Sequence, residues 1–147
     1  MKITEALLAE HLVFHNMFDH VEKTAPKLKT LAEAKAMAAL METLLGAHSR
    51  TEDDLFIGPL EHCFEQIGQR ETFHEEHDQI DQMLAAVQRA KQLKTARGLL
   101  LAVVVLSRQH FDKEERIVFP MAERILKGKT LGELGQTWMD QRKGVAP

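Results

Sequence analysis

The sequence predicts an all-α protein, an antiparallel up-down-up-down four-helix bundle with a short C-terminal extension. Three observations predict it. Apolar residues recur at helical spacing through four long segments, and the breaks between those segments carry proline, glycine or capping residues. The composition favours helix over sheet, with no tyrosine, one tryptophan (Trp138) and abundant Leu, Ala, Met, Glu and Lys. Short connections between long helices make neighbours antiparallel.

In the first segment Ile3, Ala6, Leu7, Val13, Phe14, Met17, Phe18 and Val21 share a helical spacing, and Pro26 stops it. Thr30-Leu-Ala-Glu33 reads as a capping box for a second helix. Met37, Leu40, Met41, Leu44, Leu45, His48, Glu52 and Leu55 lie along one face of that helix, which is expected to end at Gly58-Pro59. A looser stretch through Cys63 and Gly68 leads to a third helix over 70–94, with Phe73, His77, Ile80, Leu84 and Val87 in register. The fourth spans 95–126, where Leu99, Val103, Leu106, His110, Glu114 and Ile117 line up. Its apolar run 99–106 is strand-like by residue type but continues without punctuation into a helical pattern, so it reads as the middle of a buried helix. The bundle is expected over 1–128 and a tail over 129–147, where Thr130-Leu-Gly-Glu133 can cap one short packed helix carrying Trp138 and Met139.

The chain's 147 residues suffice for one domain that buries most of a core without cross-links. A single cysteine, Cys63, excludes an internal disulfide framework. The N-terminus carries no signal-peptide apolar block, and a cytoplasmic location is expected. The net charge of −3 is spread over interspersed acids and bases, with no basic stripe and interleaved aromatics. Nucleic acid is not an expected partner. The longest apolar run has eight residues, far short of the roughly 20 that span a bilayer, so no membrane partner is expected. Eight histidines remain to be accounted for.

Most of them belong to a phrase written twice. Glu10-His11 is followed by His48-Ser-Arg-Thr-Glu52, and Glu76-His77 by His110-Phe-Asp-Lys-Glu114. Residues four apart on a helix lie about 40° from each other and roughly 6 Å along the axis, so each HxxxE presents an imidazole and a carboxylate on one face. The repeat extends to Phe56-Ile-Gly-Pro59 and Val118-Phe-Pro120, with one residue inserted before the first proline. Each half brings two imidazoles and one carboxylate to the bundle axis. Six such residues left unpaired in an apolar core would cost several kcal/mol at least, so a metal site is expected there. Imidazole and carboxylate suit iron, and also zinc and manganese.

Four elements in order, Leu-Leu-Ala-Glu-His11, His48-x3-Glu52-Asp53-Asp-Leu-Phe, Glu-Glu-His77-Asp-Gln-Ile and His110-x3-Glu114-Glu-Arg-Ile-Val-Phe-Pro120, resemble the hemerythrin-like, or HHE cation-binding, family over 4–126. The resemblance implies two non-haem irons joined by an oxo or hydroxo bridge. It makes His11, His48, His77 and His110 iron ligands, and Glu52 and Glu114 bridging carboxylates. It also implies binding of dioxygen, nitric oxide or peroxide for sensing, storage or detoxification, with turnover of peroxide or nitric oxide as an enzymatic form of the same chemistry. Iron donation in repair of iron–sulfur centres, and an interaction module with a vestigial metal site, are the alternatives. No protein partner is indicated.

The chain departs from the oxygen carriers of that family at two places. They have a fifth histidine one turn before the third-helix ligand, where this chain has Phe73, with His74 beside it. Their final carboxylate is five residues after its histidine, where this chain has Glu115, with Glu114 at the fourth place. His74 lies roughly 4.5 Å along the helix from His77, toward the Glu52 and Glu114 layer, whereas His15 lies away from it. His74 is therefore the candidate fifth ligand, direct or through water, against a place on the polar rim. His20 is expected in solvent and Cys63 as a buried or idle thiol rather than a redox switch. His74-Glu-Glu-His77 fails the zincin pattern, which needs histidines four apart. The one ExxH, Glu71 with His74, falls short of the two that ferritin-type sites need. Phe14, Phe18, Phe111, Val103 and Leu106 are expected to wall a dry pocket.

Overall fold

A computed structural model describes residues 1–68 and 70–144, and those residues are helical throughout with short connections. The side chain of Glu71, and with it the ExxH pattern, lies outside the described residues, as does the end of the tail after residue 144. Helix α1 spans Ile3–Thr24 and begins where the Glu5 carboxylate accepts a hydrogen bond from the Lys2 N–H at 2.8 Å. Pro26 lies in the 3-10 turn Ala25–Lys27 that ends it. Helix α2, Leu31–Thr51, carries the expected cap: the Thr30 hydroxyl accepts from the Glu33 N–H at 3.1 Å, and the Glu33 carboxylate accepts from the Lys29 N–H at 3.2 Å.

The expected stop at Gly58-Pro59 does not occur. α2 opens into a π-helical turn, Glu52–Ile57, and runs on as α3, Gly58–Gln66. Proline has no N–H, and in an α-helix its ring clashes with the carbonyl four residues earlier; the wider turn relieves both. The chain then reverses at Gly68, whose φ of +69° suits glycine alone. Helix α4 is Arg70–Arg89, shorter at its end than the expected 94. Helix α5, Leu93–Lys113, repeats the earlier device through the π turn Glu114–Val118 and continues as α6, Phe119–Ile125, past Pro120. Run 99–106 is helical, with Leu100, Val103 and Val104 buried.

The tail forms α7, Gly128–Arg142, a full helix rather than a short one. It starts at Gly128 with Lys127 as N-cap, so the expected cap at Thr130 is not used; Thr130 lies inside the first turn. α7 lies across α1, while α5 touches α1, α2 and α4, and α4 also touches α2. At the α7–α1 crossing, a Cβ on Gly135 would collide with the Met1 carbonyl oxygen. Gly135→Ala therefore forces the two backbones apart. The expected destabilisation is about 1–3 kcal/mol, read as a Tm lower by several degrees; an unchanged melt would mean that the crossing yields freely.

Two apolar clusters fill the interior. One holds Phe14, Phe18, Met41, Leu45, Ile80, Leu84, Leu100, Val103 and Phe111. The other holds Ile3, Leu7, Phe56, Leu60, Phe64, Phe73, Val118, Phe119 and Leu131. Each long helix passes from one cluster to the other through a buried polar step: His11 on α1, His48 and Glu52 on α2, His77 on α4, His110 and Glu114 on α5. The apolar clusters fix the helices, and the polar step is what they hold in place.

Candidate metal centre

The six residues converge. All are between 0 and 5% exposed. One donor atom from each of His11, His48, Glu52 and Glu114 lies within 4.8 Å of the others, and so do donors from Glu52, His77, His110 and Glu114. The two glutamates belong to both groups. Glu52 sets Oε1 at 3.0 Å from His48 Nε2 and Oε2 at 3.3 Å from His77 Nε2. Glu114 sets Oε2 at 3.2 Å from His11 Nε2, and its Oε1 against His110 Nε2. The imidazoles meet in pairs, His11 Nε2 to His48 Nε2 at 3.2 Å and His77 Nε2 to His110 Nε2 at 2.8 Å.

Both glutamates sit at the first position of a π turn, and each turn ends two residues before a proline. π turns inside helices are frequent at functional sites. Here the wide turn lets the carboxylate and a core aromatic or branched residue both face inward. Glu52 and Phe56 are buried in one turn, Glu114 and Val118 in the other.

Each imidazole turns its other nitrogen, Nδ1, to a carboxylate further out. Glu115 hydrogen-bonds His11 Nδ1 at 2.9 Å, and Glu76 hydrogen-bonds His110 Nδ1 at 2.5 Å. Glu10 approaches His48 Nδ1 at 3.5 Å, and Asp53 approaches His77 Nδ1 at 3.3 Å. The residue before the first histidine of each half supports the second histidine of that half, and the residue after each glutamate supports the first histidine of the other half. In the sequence these four residues stand beside the ligands, and only Glu115, at the place of the carriers' final carboxylate, has an expected part. Their signal was their recurrence beside the ligands in both halves. Such outer carboxylates fix the ring orientation and raise the basicity of the inner nitrogen.

Glu10 is itself held from α7. Trp138 Nε1 donates to it at 2.7 Å, and Arg142 donates through Nε at 3.1 Å and through a terminal nitrogen at 2.9 Å. Burial pushes the Glu10 carboxyl up, but His48, Arg142 and Trp138 more than reverse this and hold it at about 2. Burial pushes Glu76 up as well, and His110 and Lys113 bring it down to about 2. Removing the Arg142 clamp with Arg142→Gln should free Glu10 to turn from His48. Metal retention against a chelator is then expected to fall about 10–100-fold, as for other outer-sphere losses; retention equal to that of the parent would relieve Arg142 of this role.

Phe111 stacks on His11, with centroids 3.8 Å apart and planes 6° apart, and Phe14 meets His48 edge-on at 5.2 Å. Phe18 stands behind Phe111 at 5.8 Å, while Val103 is buried in the same cluster and Leu106 partly so. Phe73 against His110 and Phe119 against His11 complete the wall and were not anticipated.

His74 is not among the converging residues. Its side chain is 49% exposed, and its Nδ1 lies 3.8 Å from Asp53. Four residues before His77 is nearer the inward face than three, about 40° against 60°, so Phe73 takes the inward place and turns His74 out. His15 is also outside both groups, 3.8 Å from Glu115. His20 is exposed near Thr24, and His62 lies beside Gln66.

The donor set fits a metal pair. The four oxygens of Glu52 and Glu114 are buried without a hydrogen-bond partner. Nitrogens about 3 Å apart are spaced as two donors to one ion bound at about 2.0–2.1 Å. Without a cation, two buried anions must draw protons onto the imidazoles. Burial pushes all three of His48, His77 and His110 down, but the carboxylates win. Glu52 and Glu10 raise His48 to about 10, Asp53 and Glu52 raise His77 to about 10, and Glu114 and Glu76 raise His110 to about 9. Protonated imidazoles would then face each other nitrogen to nitrogen, a repulsion that a shared metal replaces with attraction.

A model of the hemerythrin HHE cation-binding domain matches residues 2–122, and again residues 69–142. The chain belongs to that family. The second match falls on the second half of the chain, in keeping with an HHE domain built from two similar halves. Comparison with curated proteins and with solved structures gave no match. Among the described residues of this HHE domain no helix is long and apolar enough to cross a membrane.

Proposed function

We propose that this chain is a non-haem di-iron protein that binds a small ligand, dioxygen, nitric oxide or peroxide, for sensing, storage or detoxification. One observation carries the reading: two buried His2Glu2 groups share both glutamates, whose four oxygens lack hydrogen bonds. The iron pair would supply reversible redox chemistry and open coordination positions. The chain's part is to hold the pair close through Glu52 and Glu114, to orient the imidazoles through Glu10, Asp53, Glu76 and Glu115, and to exclude water with Phe14, Phe73, Phe111 and Phe119.

The ligand count bears on the use. Two six-coordinate metals offer about twelve positions, of which four histidines and two bridging carboxylates fill about eight. Neither group includes His74 or His15, so the converging set supplies four histidines and no fifth. A metal pair held by these six residues alone would keep positions open on both ions, which supports peroxide or nitric oxide handling over one-ended carriage of dioxygen. The reading also takes residues 1–128 as an antiparallel up-down-up-down bundle with 129–147 as its extension. It places the protein in the cytoplasm, where the lone thiol Cys63 would stay reduced, with a small molecule rather than nucleic acid as partner.

Metal analysis of protein purified from iron-supplemented cells tests the reading. About two irons per chain are expected, with charge-transfer bands that vanish on reduction and return in air. Iron content that the His48→Ala variant leaves unchanged would defeat it. Catalytic loss of added peroxide or nitric oxide, dependent on iron, would then separate turnover from storage.

A further inference from the structure

The two halves of the site are closed to solvent in different ways, and the difference lies where their sequences diverge. Between α2 and α4 a crevice of about 430 Å³ runs from the surface to His77. Among the described residues, Glu42, Asp53, Asp78 and Asp81 line it together with Arg50 and His77. Burial, with Asp78 and Glu42, holds the Asp81 carboxyl above its ordinary range against the opposing pull of His77 and Arg50. At the inner end, His77 is 5% exposed, the most accessible of the six converging residues. His77 and Asp53 both line this crevice, their Nδ1 and Oδ1 atoms 3.3 Å apart, buried and without an aligned hydrogen bond.

The internal repeat supplies a control. Aligning His48 with His110 and His11 with His77 places Gly46 opposite Arg108, Ser49 opposite Phe111 and Ala85 opposite Asp19. In the other half the matching space is filled. Phe111 lies flat on His11, and Arg108 straps α5 to α1 through Asp19 at 2.6 Å and Glu22 at 2.5 Å. Gly46 and Ser49 replace the strap and the plug on the α2–α4 side, where the Arg50 guanidinium lies over Gly46, and Asp78 and Asp81 stand where the first half has Leu12 and His15. A core that needed only to be dry would gain from the same plug twice.

We propose that the α2–α4 crevice is the port through which a hydrated divalent cation reaches the buried site, with Glu42, Asp78 and Asp81 gathering the ion and Asp53 receiving it beside His77. This rests on the metal-centre reading above and adds the route. A cleft lined by one sign of charge raises the local concentration and arrival rate of counter-ions by about 10–1,000-fold, and the gain falls steeply with salt. His77 is then the first imidazole that the ion meets.

Stopped-flow uptake of cobalt(II) by the metal-free full-length protein tests the route, with the visible cobalt bands as readout. Asp78→Asn/Asp81→Asn is expected to slow second-order uptake about tenfold or more at low salt and to flatten its salt dependence, with the parent's cobalt content at the end. Glu133→Gln/Asp140→Asn on α7, an equal change of charge elsewhere, should leave the rate within about twofold. Ser49→Phe, which copies the plug of the other half, should slow uptake at every salt concentration. Circular dichroism of each metal-free variant confirms the fold. Parent-like rates in both the Asp78/Asp81 and the Ser49 variants, or equal slowing by the α7 control, would overturn the port while leaving the metal centre intact. A parent that binds no cobalt at all would instead remove the metal-centre reading on which the port depends.

Discussion

Glu52→Gln is expected to empty both metal positions, whereas His110→Ala weakens mainly one. The glutamate divides its two oxygens between the His48 and His77 sides, so the loss of its charge is felt twice. Structural four-ligand metal sites are worth about 10–16 kcal/mol, or about 3 kcal/mol per ligand, and a ligand lost at that scale costs each position about 100-fold in affinity. The amide keeps the shape of the carboxylate, so the helices should remain in place. Metal per chain after dialysis against a weak chelator is the measurement, with circular dichroism to confirm the fold. If Glu52→Gln retains one full equivalent, the glutamate serves a single ion. Glu114→Gln should behave in the same way, because Glu114 reaches His11 with one oxygen and His110 with the other.

The six converging residues were legible because ligand chemistry constrains residue type and spacing together. HxxxE written twice, each time after a Glu-His, puts charge and imidazole where the flanking residues of the same helices are apolar, a burial that a shared cation would make favourable. The outer carboxylates were harder to see. Asp53 and Glu115 are ordinary acids in a helix until the packing shows that each supports a histidine of the opposite half, and a single helix carries no mark of its partner. His74 stands outside the converging groups for a related reason: its level along the axis fits, but the angle around α4 gives the inward place to Phe73. The Gly58-Pro59 break misled because proline ends α-helices far more often than it follows a π turn. Its recurrence at Pro120, after the second HxxxE, was the available signal that both prolines belong to the site. The length of α7 was hidden by three glycines, at 128, 132 and 135; the last is there because the Met1 backbone passes too close for a side chain.

Metal binding at neutral pH should release about three protons, and the apparent affinity should rise steeply as pH is raised toward 9. In the metal-free protein His48 and His77 are held up at about 10 and His110 at about 9, so all three carry a proton at pH 7 that a metal must displace. Each displaced proton contributes up to about one decade of affinity per pH unit. The same groups set the stability of the metal-free fold, in the opposite sense. An imidazole whose pKa is raised on folding stabilises fully below its unfolded value of about 6.5, and that contribution is lost as pH rises through the folded value. Between pH 7 and 10 the metal-free protein should therefore lose on the order of several kcal/mol, seen as a falling Tm in the presence of chelator, while the loaded protein, whose imidazoles are already deprotonated, should not. At the acid end Glu10 and Glu76, lowered to about 2, stabilise fully above about 4.5, and this support is withdrawn as pH falls toward 2. Calorimetric titration in buffers of different ionisation enthalpy counts the protons directly. Fewer than one released at pH 7 would mean that the buried imidazoles face each other neutral, and that Glu52 and Glu114 find their compensating charge in some other way.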